Sequence, residues 1–236
     1  MNIALSGYGR MGKLIAAQGK TRGHEVTLII DQPEQWDSIP SNVPVDVIID
    51  FSQPDAALGN IMRCLELGWP VVIGTTGWQQ HLDEVKTLVA DKDGALFHAP
   101  NFSIGMNMVF RLNRQLAWLV NRTGYALRIR EVHHMHKADA PSGTAITLAN
   151  DLIARVEGLE SWQLGTSAPD GCIPIEAIRE GEVNGIHEVI AESPVDMITL
   201  RHEAYSREGF AFGAVLAAEF IVGKQGVYTM EDLLGY

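Results

Sequence analysis

Cysteine is scarce in this chain: Cys64 and Cys172 are the only two in 236 residues, widely separated, and Cys64 falls inside a helical pattern. A disulfide framework and a zinc knuckle are therefore not indicated, and a reducing compartment is the expected setting. Positive charge is also short, with 18 Lys and Arg against 29 Asp and Glu and a formal charge of −11. Nucleic-acid affinity relies on Lys and Arg neutralising phosphates, so no nucleic-acid partner is expected and any anionic ligand must be bound locally. Long apolar runs are missing, and Met1-Asn2-Ile3-Ala4-Leu5 enters a strand pattern with no basic lead, so a cytoplasmic protein without a membrane partner is expected. Repeats and low-complexity segments are absent too. What remains is 46% hydrophobic, enough for a full core in one large or two small domains.

The richest chemistry lies between Glu131 and Ala145, which reads E-V-H-H-M-H-K-A-D-A-P-S-G-T-A. Tyr125 to Val132 alternates like a half-buried strand. Asp139-Ala140-Pro141-Ser142-Gly143-Thr144 reads as a helix start, with Pro and Ser suited to its first positions, and Ala145, Ala149, Leu152, Ile153 and Val156 continue at helical spacing. First-turn amides have no partner within the helix and attract a carboxylate or phosphate. Three imidazoles, His133, His134 and His136, together with Lys137, thus stand where a strand hands over to an anion cradle.

The N-terminal half alternates strand and helix. Ile3 to Leu5 leads into Ser6-Gly7-Tyr8-Gly9-Arg10-Met11-Gly12, a helix follows to near Gly23, and Val26 to Ile30 ends at Asp31. A glycine turn between strand and helix, with an acidic residue closing the next strand, is the pattern of a dinucleotide site: the glycines admit a pyrophosphate and the acid accepts from ribose hydroxyls. Gln32 to Pro44 shows no helical stripe, so the crossover helix there is missing or very short. Val45 to Ile49 runs into Asp50-Phe51-Ser52, Val71 to Ile73 into Gly74-Thr75-Thr76-Gly77, and Ala95 to His98 into Ala99-Pro100-Asn101-Phe102-Ser103. In an open parallel sheet such loops lie at the ligand-binding edge.

After Gly105 the pattern changes. Met108, Val109, Leu112, Leu116, Leu119 and Val120 form one long helical stripe, Glu157 to Gly171 reads as a loop, and Ile173–Arg179, Gly185–Ala191 and Met197–His202 are closely spaced strands of an open mixed or antiparallel sheet. Phe210, Ala214, Ala217, Ala218 and Ile221 mark a last helix that returns to the first domain. The expected fold class is α/β: a Rossmann-type parallel-sheet domain over residues 1–103, completed by 207–236, plus a smaller α+β substrate domain with an open mixed sheet over 104–206.

The His-His-x-His-Lys-x-Asp-Ala-Pro-Ser-Gly-Thr-Ala stretch and the Gly-x-Gly-Arg-Met-Gly turn resemble the dihydrodipicolinate reductase family. Gly74 to Gly77, Ala99 to Gly105, Arg179-Glu180-Gly181 with Gly185-Ile186-His187, and Gly223 to Tyr228 carry the likeness over most of the chain. The resemblance implies NAD(P)H-dependent reduction of a cyclic imine dicarboxylate on the diaminopimelate route to lysine, by a cytoplasmic homotetramer. It implies His133 as general acid and Lys137 as its partner, with His134, Gly143 and Thr144 holding substrate carboxylates. Gly7, Arg10, Met11 and Gly12 would hold the pyrophosphate, Asp31 the adenosine ribose, and Gly74, Thr76, Ala99 and Phe102 the nicotinamide half. Independent chemistry agrees, since a ring that accepts hydride must receive a proton, and imidazole delivers one near neutral pH.

Two departures from the family pattern bear on binding. Met135 stands where the family often has Arg, and Gln32 and Gln53 stand where it often has a basic residue. A 2′-phosphate would meet Asp31 with little compensation, so NADH is expected over a weaker NADPH. No metal is expected: strand geometry would put His134 and His136 on one side and His133 on the other. His24, His81, His98, His187 and His202 read as isolated structural or exposed groups.

Overall fold

In the computed structural model, which describes all residues 1–236, β1 (Asn2–Ser6) is a buried run that opens a strand-and-helix alternation. It continues through α1 (Arg10–Thr21), β2 (Glu25–Ile30), β3 (Val47–Asp50), α2 (Pro54–Glu66), β4 (Val71–Ile73), α3 (Leu82–Asp91) and β5 (Ala95–His98). Next come α4 (Ile104–Val120), β6 (Ala126–His133), α5 (Gly143–Ile153), β7 (Ser161–Leu164), β8 (Cys172–Arg179), β9 (Ile186–Glu192) and β10 (Met197–Glu203). The chain closes with α6 (Glu208–Ile221), β11 (Gly226–Tyr228) and α7 (Met230–Leu234). It divides into two compact units, Met1–Ile104 with Arg207–Tyr236, and Gly105–Ser206.

The first unit holds a six-stranded parallel sheet in the order β11-β5-β4-β3-β1-β2. Its strands are near-continuous apolar runs because both faces are covered. On one face α6 lays Ala211, Ala214, Ala217, Ala218 and Ile221 against Ile3, Leu5, Val47 and Ile15. Small residues let this helix approach closely, and Glu219 is gripped from outside by Arg22 Nε and Nη2, each at 2.7 Å. The other face buries Ile61, Cys64, Val85 and Val89 under Ile48, Val71 and Leu96. In place of a crossover α-helix after β2 there is a short 3₁₀ helix, Pro33–Ser38. β11 was not legible in the sequence; it adds an edge strand beside β5.

The second unit is a five-stranded mixed sheet, β10-β9-β6-β8-β7, parallel at β6/β8 and β7/β8 and antiparallel elsewhere. α4 and α5 cover one face, with Met106, Phe110, Leu148 and Leu152 against Ile129, Ile175 and Val189. Two sequence expectations are corrected here. Residues 161–164, read as loop, form β7, an edge strand too short to show alternation. The buried stripe of α4 runs through Met106, Val109, Phe110, Asn113, Leu116, Ala117 and Val120. Met108, Leu112 and Leu119, counted in the expected stripe, are exposed together with Trp118.

Candidate active site

Strand β6 ends at His133, and the chain then turns at once: the Lys137 amide donates to His134 O at 3.1 Å. His134 and His136 are therefore off the strand, and the expectation that they share a strand face gives way to a turn. The segment Glu180–Val183 clips this turn in place, with His134 N donating to Val183 O at 2.8 Å and Glu180 N donating to His133 O at 2.8 Å. Met135 is exposed on the turn. Ser142, rather than a first helical residue, is the N-cap of α5: its Oγ accepts from Ala145 N at 3.2 Å, and Pro141 precedes it in a cis peptide. Gly143 and Thr144 are the first two residues of that helix, and open space lies where a side chain on Gly143 would be.

Glu131 ties these parts together. Side chains two apart on a strand share a face, so its fully buried carboxylate lies beside His133, with Oε2 3.3 Å from Nδ1. Its Oε1 accepts from the Ser142 amide at 3.0 Å and from Arg179 Nη2 at 3.1 Å. The strand that carries the imidazole is thereby hydrogen-bonded to the helix start. Burial alone would raise the Glu131 pKa; the hydrogen bonds from His133 and Ser142 outweigh it and hold the carboxyl at about 2.

His187, read from sequence as isolated, belongs to this cluster. The antiparallel register sets it directly opposite Glu131, and its ring centre lies 5.0 Å from that of His133, edge to face. Its Nε2 is 3.2 Å from Ser142 Oγ and 3.7 Å from Glu131 Oε2. Burial, then the adjacent His133, depresses the His187 pKa to about 3, so this ring is neutral at ordinary pH. One atom each of Glu131, His133 and His187 lies within 4.8 Å of the others, a spacing a metal ion can bridge. The Arg179 guanidinium on the same carboxylate opposes a cation there, and the cluster is better described as a hydrogen-bonded network. Lys137 pairs with Asp139 at 2.7 Å, and burial apart, that ammonium holds the Asp139 carboxyl below its ordinary range.

In the first unit a cavity of about 710 Å³ opens at the carboxyl ends of β1, β2 and β3, lined among others by Gly7, Asp31, Trp36, Gln53 and Arg63. Gly7 has φ +85°, and a Cβ there would sit 2.4 Å from Phe51 O, so only glycine lets the turn pass this close. Arg10, Met11 and Gly12 form the first turn of α1. Asp31 accepts from the Tyr8 amide at 2.7 Å through Oδ1, which fixes the acid over the glycine turn. Two residues missed in the sequence stand here: the Arg63 guanidinium lies 5.7 Å over the Trp36 ring, and it is the one basic side chain of the cavity lining. Helical spacing alone gave Arg63 no reason to stand out.

After β4, Thr76 is exposed whereas Thr75 is buried and donates to Asp50 at 2.6 Å. Asp50 also accepts from Ser52 Oγ at 2.9 Å and Asn60 Nδ2 at 2.8 Å, so one buried carboxylate fixes the loops after β3 and β4. Gly74 leaves room for the Phe51 ring, which a Cβ would overlap at 2.1 Å. Ala99 and Phe102 are buried, with the Phe102 ring tilted between those of Phe51 and Phe97 at centroid distances of 5.5 and 6.0 Å. Their side chains belong to the core.

Residues 1–102 match the family model described as dihydrodipicolinate reductase, N-terminus, and residues 105–234 match the one described as dihydrodipicolinate reductase, C-terminus. The 4-hydroxy-tetrahydrodipicolinate reductase of Christiangramia forsetii is 44% identical over 235 residues, 99% of this chain and 98% of that one. That of Lawsonia intracellularis is 33% identical, covering 98% of each chain. Among solved structures, dipicolinate-bound dihydrodipicolinate reductase from Paenisporosarcina sp. TG-14 superposes with a TM-score of 0.79 over 97% of both chains at 21% identity, a likeness of fold.

Proposed function

The chain belongs to the dihydrodipicolinate reductase family, nicotinamide-dependent oxidoreductases of lysine and diaminopimelate biosynthesis, and on that premise we propose that it reduces the cyclic imine derived from 4-hydroxy-tetrahydrodipicolinate, with NADH preferred. The observation that carries this reading is the Glu131 clamp, which joins a buried imidazole to a helix start that attracts carboxylates.

The first-unit cavity fits a dinucleotide: it is large enough, has a cradle only glycine permits, and ends in an acid. Gly7, Arg10, Met11 and Gly12 would hold the pyrophosphate, Asp31 the ribose, and Gly74, Thr76 and the backbone of Ala99 and Phe102 the nicotinamide half. Bound there, the cofactor supplies a hydride. His133 holds the proton that the reduced ring must receive, and Lys137 draws electron density from the imine while balancing the dianion. His134 with the Gly143 and Thr144 amides grips the carboxylates. The preference for NADH rests on Asp31, which repels a 2′-phosphate, and on Gln32 and Gln53; the one cation nearby, Arg63, is engaged with Trp36.

The exposed Val195, Met197 and Ile198 beside or on edge strand β10 support association into a homotetramer, and no helix is long and apolar enough to cross a membrane. A cytoplasmic setting accords with two unpaired cysteines. A substrate panel followed at the nicotinamide absorbance tests the activity: the cyclic imine dicarboxylate should be reduced far faster than amino-acid semialdehydes or oxaloacetate with ammonia. Equal rates across the panel would refute the assignment.

A further inference from the structure

Oε2 of Glu131 and Nδ1 of His133 stand at an ion-pair distance of 3.3 Å, both buried, and neither atom finds an aligned hydrogen-bond partner. A buried carboxylate oxygen and a buried ring nitrogen left so are stable only if the nitrogen carries the proton shared between them. The carboxylate cannot swing away, because its other oxygen is held by the Ser142 amide and Arg179. On the far side of the ring, Gly185 (φ +150°) leaves its Cβ position empty 3.1 Å from His133 Nε2. Any side chain at 185 would press on that nitrogen.

We propose that Glu131 is the positioning residue of His133, fixing the neutral ring as its Nδ1–H tautomer so that Nε2 is the atom that takes up and delivers the proton. This rests on the reading of His133 as proton donor and names the machinery behind it. The other charged or titratable groups around the pair are Arg179 at the end of β8, His187 on β9, His202 on β10, and Lys137 and Asp139 after the turn. His187 abuts His133 and stays neutral, so it adds no positive charge beside that ring.

The test uses the full-length protein with ¹⁵N-labelled histidine, His133 being assigned by difference against His133→Asn. In the parent, the neutral ring should be protonated at Nδ1; protonation at Nε2 overturns the proposal without need of any variant. In Glu131→Gln, the side-chain amide donates to Nδ1 and should drive the ring to the Nε2–H tautomer. Turnover should then fall at least about tenfold, as a wrongly protonated general base does elsewhere, with KM for the imine within about twofold. Glu131→Asp should recover part of kcat. An unchanged tautomer in folded Glu131→Gln overturns the proposal whatever the turnover. A switched tautomer with full turnover leaves the positioning intact and overturns instead the role given to His133.

Discussion

Glu131 and His187 face each other across the β6/β9 ladder, and the carboxylate of one is 3.7 Å from Nε2 of the other. A cross-strand neighbour is set by register alone, so the sheet itself delivers a neutral imidazole and an ionised carboxylate to the last residue of β6. The site is therefore part of the fold's core and titrates with its stability.

Acidification should unfold the protein through these two groups. Between its ordinary pKa of 6.5 and its folded value of about 3, His187 is protonated in the unfolded chain and neutral in the folded one, so stability falls as pH drops through that window. Glu131, held at about 2 against an ordinary 4.5, contributes stability above 4.5 that is lost as pH falls towards 2. Urea titrations at pH 7 and pH 5 should show a loss in the parent that His187→Gln reduces by about 1–2 kcal/mol. An identical loss in parent and variant would contradict the assignment.

Thr75→Val should destabilise by about 1–3 kcal/mol, because it removes a hydrogen bond to a fully buried Asp50 and leaves that carboxylate short of a donor. Thr76→Val, at an exposed position, should leave the unfolding midpoint nearly unchanged while raising KM for the cofactor. Thermal unfolding separates the two, and equal midpoints would show that the Asp50 network carries little.

Much of this was legible in advance, and the misses have physical causes. The alternation of apolar runs with glycine-rich loops marks a parallel sheet, whereas the strand order comes only from the structure. The edge strands β7 and β11 escaped because, unlike the equally short β3, β4 and β5, they are not buried apolar runs, and at 4 and 3 residues they are too short for alternation to show. His133, Lys137, Gly143 and Thr144 announced themselves by local clustering. His187 and Arg179 are far from them in sequence and are joined only by strand pairing, which one sequence does not reveal. Glu131 lay inside the conspicuous stretch, and its i, i+2 relation to His133 was the available signal.

Cofactor choice should turn on Asp31 and Arg63. Asp31→Ser should raise kcat/KM for NADPH relative to NADH by about tenfold or more, since a like charge beside the 2′-phosphate is removed. Arg63→Ala should lower NADPH use more than NADH use, because the guanidinium is the only cation of the cavity lining. Ratios that do not move in either variant would place discrimination elsewhere.

Lys137→Ala should raise KM for the imine and lower kcat together, whereas Asp139→Asn, which frees the ammonium from its 2.7 Å partner, should leave cofactor KM unchanged. A defect confined to the cofactor in Lys137→Ala would contradict its place at the substrate.

The most direct measurement mixes the purified protein with freshly made aldolase product and NADH or NADPH, and follows the nicotinamide absorbance for the parent and His133→Ala. Rapid oxidation by the parent, faster with NADH, and a fall in kcat of about a hundredfold or more in the variant with cofactor affinity retained is the predicted result. Oxidation by His133→Ala at the parental rate, or none by the parent, would contradict the account.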